Sequence, residues 1–132
     1  MALALPALVL ASCKTQQPNN EAIVGPVKPV VTDSTLTPEI LWSFGRIGEF
    51  AVSPDGQKVA YTTAWYSIDQ NRGNSEIYIM NTDGTGKRQL THTNGSEFNL
   101  QWVDSLNLAY LATESGKSQI WQMNVENQKT SM

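Results

Sequence analysis

The chain has 132 residues, enough for one small domain, and its formal net charge of −3 is spread along the sequence. It has no basic patch that would bind nucleic acid and no acidic tail. The single cysteine, Cys13, excludes an internal disulfide and a cysteine-rich metal site. We therefore expect no nucleic-acid partner, no cofactor and no metal site.

The first twelve residues are predicted to be a signal peptide. Residues 2–11 are apolar apart from Pro6, a run too short for a transmembrane helix but suited to the core of a signal peptide. Residues 10–13, Leu-Ala-Ser-Cys, match the bacterial lipoprotein box, where small residues precede a cysteine that is lipidated and becomes the new N-terminus. Cys13 is thus the predicted lipid-attachment site, and the lipid bilayer a predicted partner. The alternative is a cysteine buried in an N-terminal helix.

Residues 13–35 are predicted to be a flexible tether, because they are rich in Gln, Asn and Pro and lack periodicity. Residues 36–48 are predicted to form a short helix and a lead-in to the first sheet. Thr37 is the expected N-cap, Pro38 takes the first helical position, and Glu39 places an acid in the first turn. Gly45 is expected to end the helix.

A repeat organises the rest of the chain. Residues 75–81, Ser-Glu-Ile-Tyr-Ile-Met-Asn, return as Ser-Gln-Ile-Trp-Gln-Met-Asn at 118–124, an offset of 43 residues. This period falls in the range of propeller blades, each of which is a four-stranded sheet that needs stacked neighbours. The predicted fold class is therefore all-β: a partial β-propeller of about two four-stranded blades, preceded by a short helix and a disordered, lipoprotein-type N-terminus.

The first blade is predicted over residues 49–92 and the second, incomplete, over 93–132. First-blade strands are expected near 48–52, 58–64, 75–81 and 87–91, with a type I turn at 53–56 (Ser-Pro-Asp-Gly). A polar insertion at 66–73 is predicted to be a long loop, the kind of segment that often carries recognition. Second-blade strands are expected at 97–102, 107–113 and 118–124, with the fourth forming near Met132.

Motifs that carry chemistry are incomplete in this sequence. Residues 84–87, Gly-Thr-Gly-Lys, lack the other positions of a phosphate-binding loop, and residues 81–85 lack the later ligands of an EF-hand. His92 is the only histidine, no Gly-x-Ser-x-Gly elbow is present, and His92 is predicted to be a solvated loop residue. We assign no catalytic residue. The four tryptophans are interpreted as packing anchors, with a sugar- or peptide-binding role as the alternative.

Two segments resemble known proteins. Residues 52–61, 75–86 and 89–91 resemble the TolB-type propeller repeat, which is specific for fold and weak for function. Residues 36–48 resemble the segment that opens the propeller of secreted bacterial prolyl oligopeptidase-family enzymes of the dipeptidyl-peptidase and acylaminoacyl-peptidase types. The resemblance covers roughly residues 36–127.

In that family a propeller caps an α/β-hydrolase domain that carries the catalytic Ser, Asp and His. The resemblance therefore implies a fragment of a serine exopeptidase whose propeller admits only short peptides. Its implied partners are downstream propeller blades, the hydrolase domain and short peptide substrates. With the lipoprotein box at Cys13 and no retention signal at Lys14, the expected location is the bacterial cell envelope, lipid-anchored and facing the periplasm, at the outer membrane. Two alternatives remain: a non-enzymatic TolB-like lipoprotein acting as a protein-binding scaffold, and a stand-alone lipoprotein with two blades.

Lipidation of Cys13 is directly testable. Acylation at Cys13 would anchor the chain stably, since several acyl chains hold a protein where one is marginal. If Cys13 is the acylated residue, cells grown with labelled palmitate should label the wild-type chain and leave Cys13→Ala unlabelled. Equal labelling of the two proteins would contradict the lipoprotein interpretation.

Overall fold

A computed structural model describes residues 22–132 of the chain. Cys13, the predicted signal peptide and the start of the predicted tether lie outside the described residues. The described part contains one helix, eight strands and the connections between them: α1 (Pro38–Ser43), β1 (Arg46–Val52), β2 (Lys58–Ser67), β3 (Arg72–Asn81), β4 (Arg88–Gln89), β5 (Glu97–Trp102), β6 (Asn107–Ala112), β7 (Gln119–Asn124) and β8 (Thr130–Ser131).

The strands form two antiparallel four-stranded sheets in the orders β1-β2-β3-β4 and β5-β6-β7-β8. The first strand of each sheet carries an irregularity at a corresponding place, between Ile47 and Phe50 in β1 and between Phe98 and Gln101 in β5. Two sheets with the same strand order and matching irregularities confirm the repeat and the predicted partial propeller.

Helix α1 begins as the sequence predicts. The Thr37 hydroxyl accepts a hydrogen bond from the Ile40 N–H at 3.3 Å, and Pro38 is the first helical residue. The helix ends at Ser43, because Phe44 is already extended. Leu41 of the helix and Phe44, which follows it, are exposed, and α1 buries no residue.

The predicted long loop at 66–73 is wrong. β2 and β3 continue their pairing to Ser67 and Arg72, so only residues 68–71 form the turn. Asn71 closes this turn with a positive φ of 47°, and its side-chain oxygen accepts a 2.5 Å hydrogen bond from the Tyr66 hydroxyl. The polar composition suggested a loop, but the pairing uses backbone groups, which every one of these residues has.

The hydrophobic core lies between the two sheets. Inward-facing side chains of the first sheet, among them Ile77 and Ile79, belong to one buried cluster with Leu100, Leu108 and Met123 of the second. A fully buried Ile or Leu side chain contributes about 1.5–3 kcal/mol. The core therefore depends on both sheets being present.

Polar contacts fix how the two sheets are placed against each other. The Trp102 indole N–H donates to the Ala51 carbonyl at 3.0 Å. The Glu49 carboxylate accepts from the backbone N–H groups of Asn99 and Leu100, at the irregularity in β5 where Asn99 has a φ of 59°. Lys58 and Glu126 form an ion pair at 3.2 Å. These bonds connect residues about fifty or more positions apart, so they select one arrangement of the sheets.

The first described residues of the predicted tether contact the first sheet. Val24 is buried, and its carbonyl accepts a 3.2 Å hydrogen bond from the Asn74 side-chain amide. The Ala22 carbonyl accepts from Arg72 at 2.8 Å. Further along, Val30 and Val31 are exposed. Residues 22–24 therefore form a strap across β3 and, like residues 26–36, they lie in neither helix nor strand.

The turn between β1 and β2 supplies a test of the blade assignment. The Gly56 N–H donates to the Ser53 carbonyl at 2.8 Å, and Gly56 has a φ of 71° with open space around it. Gly56→Val should lower the free energy of unfolding by at least about 1 kcal/mol because only the backbone conformation opposes a side chain there. Gly25 also faces open space but lacks a positive φ, so Gly25→Val is the matched control and should be nearly neutral in chemical melts. Equal losses of stability in Gly56→Val and Gly25→Val would contradict the assignment of a turn that needs a positive φ at Gly56.

Candidate functional site

The most unusual chemistry of the described residues lies where the first sheet passes into the second. Glu76 on β3 is 1% exposed and Glu97 at the start of β5 is 0% exposed. Carboxylates are almost never buried this completely unless they are paired or hydrogen-bonded. We call Asn74, Glu76, Thr91, Thr93 and Glu97 the junction cluster.

Two threonines of the connection between β4 and β5 hold Glu97. The Thr91 hydroxyl donates to Glu97 Oε2 at 3.1 Å and accepts from the Ile77 N–H at 2.8 Å. The Thr93 hydroxyl donates to Glu97 Oε1 at 2.8 Å. Both hydroxyls thus link the carboxyl of Glu97 to the backbone of the junction.

Only one of the two carboxyl oxygens of Glu76 is hydrogen-bonded to the described residues. Its Oε1 accepts from the Thr93 N–H and from the Asn74 side-chain amide, both at 2.9 Å. Its Oε2, like Asn74 Oδ1, is buried and has no hydrogen-bond partner among the described residues. A buried acceptor left without a donor costs about 1–3 kcal/mol. The cluster therefore contains more acceptors than the donors around it satisfy.

The surroundings of Glu97 favour its neutral form. Burial raises the pKa of Glu97 to about 8, and the negative charge of Glu76 and a hydrogen bond to Glu76 act in the same direction. The hydroxyls of Thr93 and Thr91 lower this pKa and only partly offset the burial. Burial and the neighbouring Glu76 thus extend the protonated form of Glu97 to higher pH than is usual for a glutamate.

Glu97 also lines an open cleft of about 260 Å³ between the junction and the second sheet. Its other ionisable lining residues are His92, Tyr110 and Glu114. Burial and the charges of Glu97 and Glu114 raise the pKa of Tyr110 to about 12, so this phenol stays neutral. His92 is exposed in the connection, as predicted, and its Nδ1 lies 3.5 Å from the Gln89 amide nitrogen.

An apolar groove of about 650 Å³ runs along the face of the first sheet that points away from the core. Among the residues that line it, Ile47 and Phe50 are 72% and 70% exposed. A sheet face this apolar is typical of a surface that packs against another element. Tyr61 and Trp65, which also line the groove, are buried, so the part that faces solvent lies at Ile47 and Phe50.

The tryptophans divide into two groups. Trp65 is buried, and Trp102 and Trp121 are half-buried, with the last two packed against the core, as expected of packing anchors. Trp42 differs: its ring lies 4.9 Å from that of Tyr66 and 4.4 Å from the Arg46 guanidinium, and it remains 39% exposed.

Other predicted sites are not brought together by the structure. Cys13, the predicted lipid-attachment site, lies outside the described residues. Between residues 22 and 132 no three His, Cys, Asp or Glu side chains are grouped so that they could hold a metal ion. No helix in the same range is long and apolar enough to cross a membrane.

The relatives of the chain are peptidases. No protein-family model matches. Over 90 residues the chain is 32% identical to dipeptidyl-peptidase 5 of Porphyromonas gingivalis, an alignment that covers 67% of this chain and 13% of that protein. Over 96 residues it is 32% identical to dipeptidyl-peptidase 5 of Porphyromonas endodontalis, covering 72% and 14%. The chain thus spans about one seventh of these relatives, and the matches support a segment of a peptidase-type protein.

A solved structure supports the fold. The apo AtxE2 isopeptidase superposes with a TM-score of 0.60 at 21% sequence identity, covering 82% of this chain and 20% of that one. At this identity the likeness concerns the fold alone. The two-sheet arrangement therefore also occurs inside a longer chain.

Sequence reasoning missed the junction cluster. The sequence predicts strands that contain Glu76 and Glu97 but no role for either residue, because a glutamate is an ordinary polar residue of a strand. The available signal was the stretch Thr-His-Thr at 91–93, since two hydroxyls beside a turn are suited to donate to a buried carboxylate. Burial itself depends on the strap and the second sheet, which no local pattern shows.

The junction makes one prediction about stability. Thr91→Val removes the acceptor of the Ile77 N–H and a donor to Glu97, so the free energy of unfolding should fall by about 1–3 kcal/mol in chemical melts. Thr82→Val, at an exposed turn position after β3, is the matched control and should stay within about 0.5 kcal/mol of wild type. Equal effects of the two substitutions would show that the Thr91 hydroxyl contributes nothing particular.

Proposed function

We propose that this chain is the N-terminal propeller segment of a secreted serine exopeptidase. The observation that carries the proposal is the 32% identity to dipeptidyl-peptidase 5 over 90 and 96 residues, together with a fold that leaves apolar side chains of both sheets exposed. The proposal assigns the catalytic Ser, Asp and His to an α/β-hydrolase domain outside this segment.

The propeller segment would act as a filter rather than as a catalyst. Blades of a propeller stack around a central channel, so a closed ring limits what reaches a site beneath it. The groove beside Ile47 and Phe50 on the first sheet, and the exposed Ile120 on the second, are suited to packing against further blades. In the proposed protein, only short peptides pass to the hydrolase domain.

The proposed location is the periplasmic side of the outer membrane. The support is the lipoprotein box at Cys13, followed by the tether-like segment that reaches the strap at residues 22–24. An acylated Cys13 would hold the propeller close to the bilayer and leave the rest of the protein in the periplasm.

The test compares two proteins. The reading frame continued beyond Met132 is expressed beside the 132-residue chain, and both are incubated with dipeptidyl and acylaminoacyl chromogenic substrates and with a fluorophosphonate serine probe. The longer protein should release dipeptides and be labelled, and its labelling should abolish turnover. The 132-residue chain should do neither, because a serine hydrolase needs a nucleophile elbow, a base and an oxyanion hole together.

Two results would contradict the proposal. Turnover by the 132-residue chain that disappears in His92→Ala would place an active site inside these sheets. A longer protein that adds blades but is silent toward substrates and probe would favour the protein-binding scaffold.

A further inference from the structure

We propose that Glu76 and Glu97 form a carboxyl pair that shares one proton across the junction of the two sheets, and that this proton holds the sheets and the N-terminal strap together. The inference does not depend on the proposed peptidase function. It assigns a proton-binding site to residues that stabilise the arrangement of blades.

The first support is the count of donors and acceptors. Glu76 Oε2 is a buried acceptor with no donor among the described residues, whereas its Oε1 has two. Glu97 receives one hydroxyl on each oxygen, and Thr93 bridges the two acids, since its hydroxyl donates to Glu97 and its N–H donates to Glu76. A proton on Glu97 supplies the donor that Glu76 lacks. Two ionised carboxylates at this place would repel each other instead, as in other buried carboxyl pairs that share a site.

The second support is the charge of the surroundings. The ionisable groups that line the cleft beside Glu97 are His92 in the connection and Tyr110 and Glu114 of the second sheet and its turn. Tyr110 is held neutral, Glu114 is acidic, and His92 is exposed. On the strap side, Arg72 bonds to the Ala22 carbonyl and to the Asn94 side chain. Among the described residues, the hydrogen bonds that the pair accepts come from the hydroxyls of Thr91 and Thr93, the Thr93 N–H and the Asn74 side-chain amide.

The pair also connects three parts of the chain. Asn74 donates its side-chain amide to Glu76 Oε1, to the Thr93 carbonyl and to the Val24 carbonyl of the strap. Thr93 in turn donates to Glu97 on the second sheet. Loss of the shared proton would place a second negative charge in this network, so strap, connection and β5 should loosen together.

The expected pH dependence has a definite sign. Between the ordinary pKa of a glutamate, 4.5, and the folded value of about 8, the folded protein holds a proton that the unfolded chain releases. Stability from this group is therefore greatest at acidic pH and declines as pH rises toward 8.

The experiment measures proton release on unfolding at pH 6.5, by calorimetry of the full chain in buffers of different ionisation enthalpy. Unfolding of the wild type should release about one proton more than unfolding of Glu97→Gln. Glutamine imitates the protonated carboxyl, since its amide donates to Glu76 while its carbonyl accepts from a threonine. The melting temperature of this variant should also lose the decline between pH 5 and 8 that the wild type shows. Glu114→Gln, an exposed residue of the same cleft with the same change of charge, is the matched control and should behave like the wild type.

Three results would overturn the proposal. The first is equal proton release from wild type and Glu97→Gln. The second needs no variant: the infrared spectrum of the wild type at pH 6.5 should contain the carbonyl stretch of a protonated carboxyl that vanishes at pH 10, and its absence would exclude the shared proton. The third is a rise in wild-type melting temperature on addition of calcium ions that Glu97→Gln does not show, which would assign the pair to a cation.

Discussion

A four-stranded sheet with apolar side chains on both faces is stable only when each face is covered, and this constraint determines the rest of the molecule. The described core exists because the inner face of the first sheet meets the inner face of the second. Ile77 and Leu108 are fully buried in the core between the two sheets. The faces that point away from the core are equally apolar at Ile47, Phe50 and Ile120. In a pair of blades the two inner faces cover each other, whereas the two outer faces remain without a partner. This is the expected state of a segment within a larger ring.

The same contact explains why polar groups are buried at the junction. A chain that leaves one sheet and enters the next must pass between them, and the backbone of such a connection needs hydrogen-bond partners. Thr91 and Thr93 supply hydroxyls there, and Glu76 and Glu97 supply the acceptors that hold them. At the irregularity in the middle of β5, Glu49 performs a related task for the backbone N–H groups of Asn99 and Leu100. Carboxylates thus bond to irregular backbone on both sides of the interface between sheets.

The parts of the fold that the sequence predicted are those governed by short-range rules. The N-cap at Thr37 and the turn at Gly56 follow from residues that favour a particular backbone conformation, and both occur as expected. The repeat of residues 75–81 at 118–124 predicted that the two sheets correspond strand by strand. The repeated residues indeed lie in the third strand of each sheet. The sequence did not predict that β2 continues to Ser67 and that β3 already begins at Arg72. Polar residues can pair as well as apolar ones when the hairpin is already aligned.

The junction cluster could not be predicted from short-range rules, because it depends on contacts between residues that are distant in the sequence. Val24 and Asn74 are fifty positions apart, and neither alone indicates that the strap would cover β3. Glu97 has an altered pKa because burial and Glu76 act on it at once. A buried acid pair lowers the stability of an isolated junction, but it also makes that stability sensitive to correct assembly. The donors to the two acids come from β3 and from the connection, so these bonds form only when β3, the connection and β5 lie together, which favours one arrangement of the two sheets.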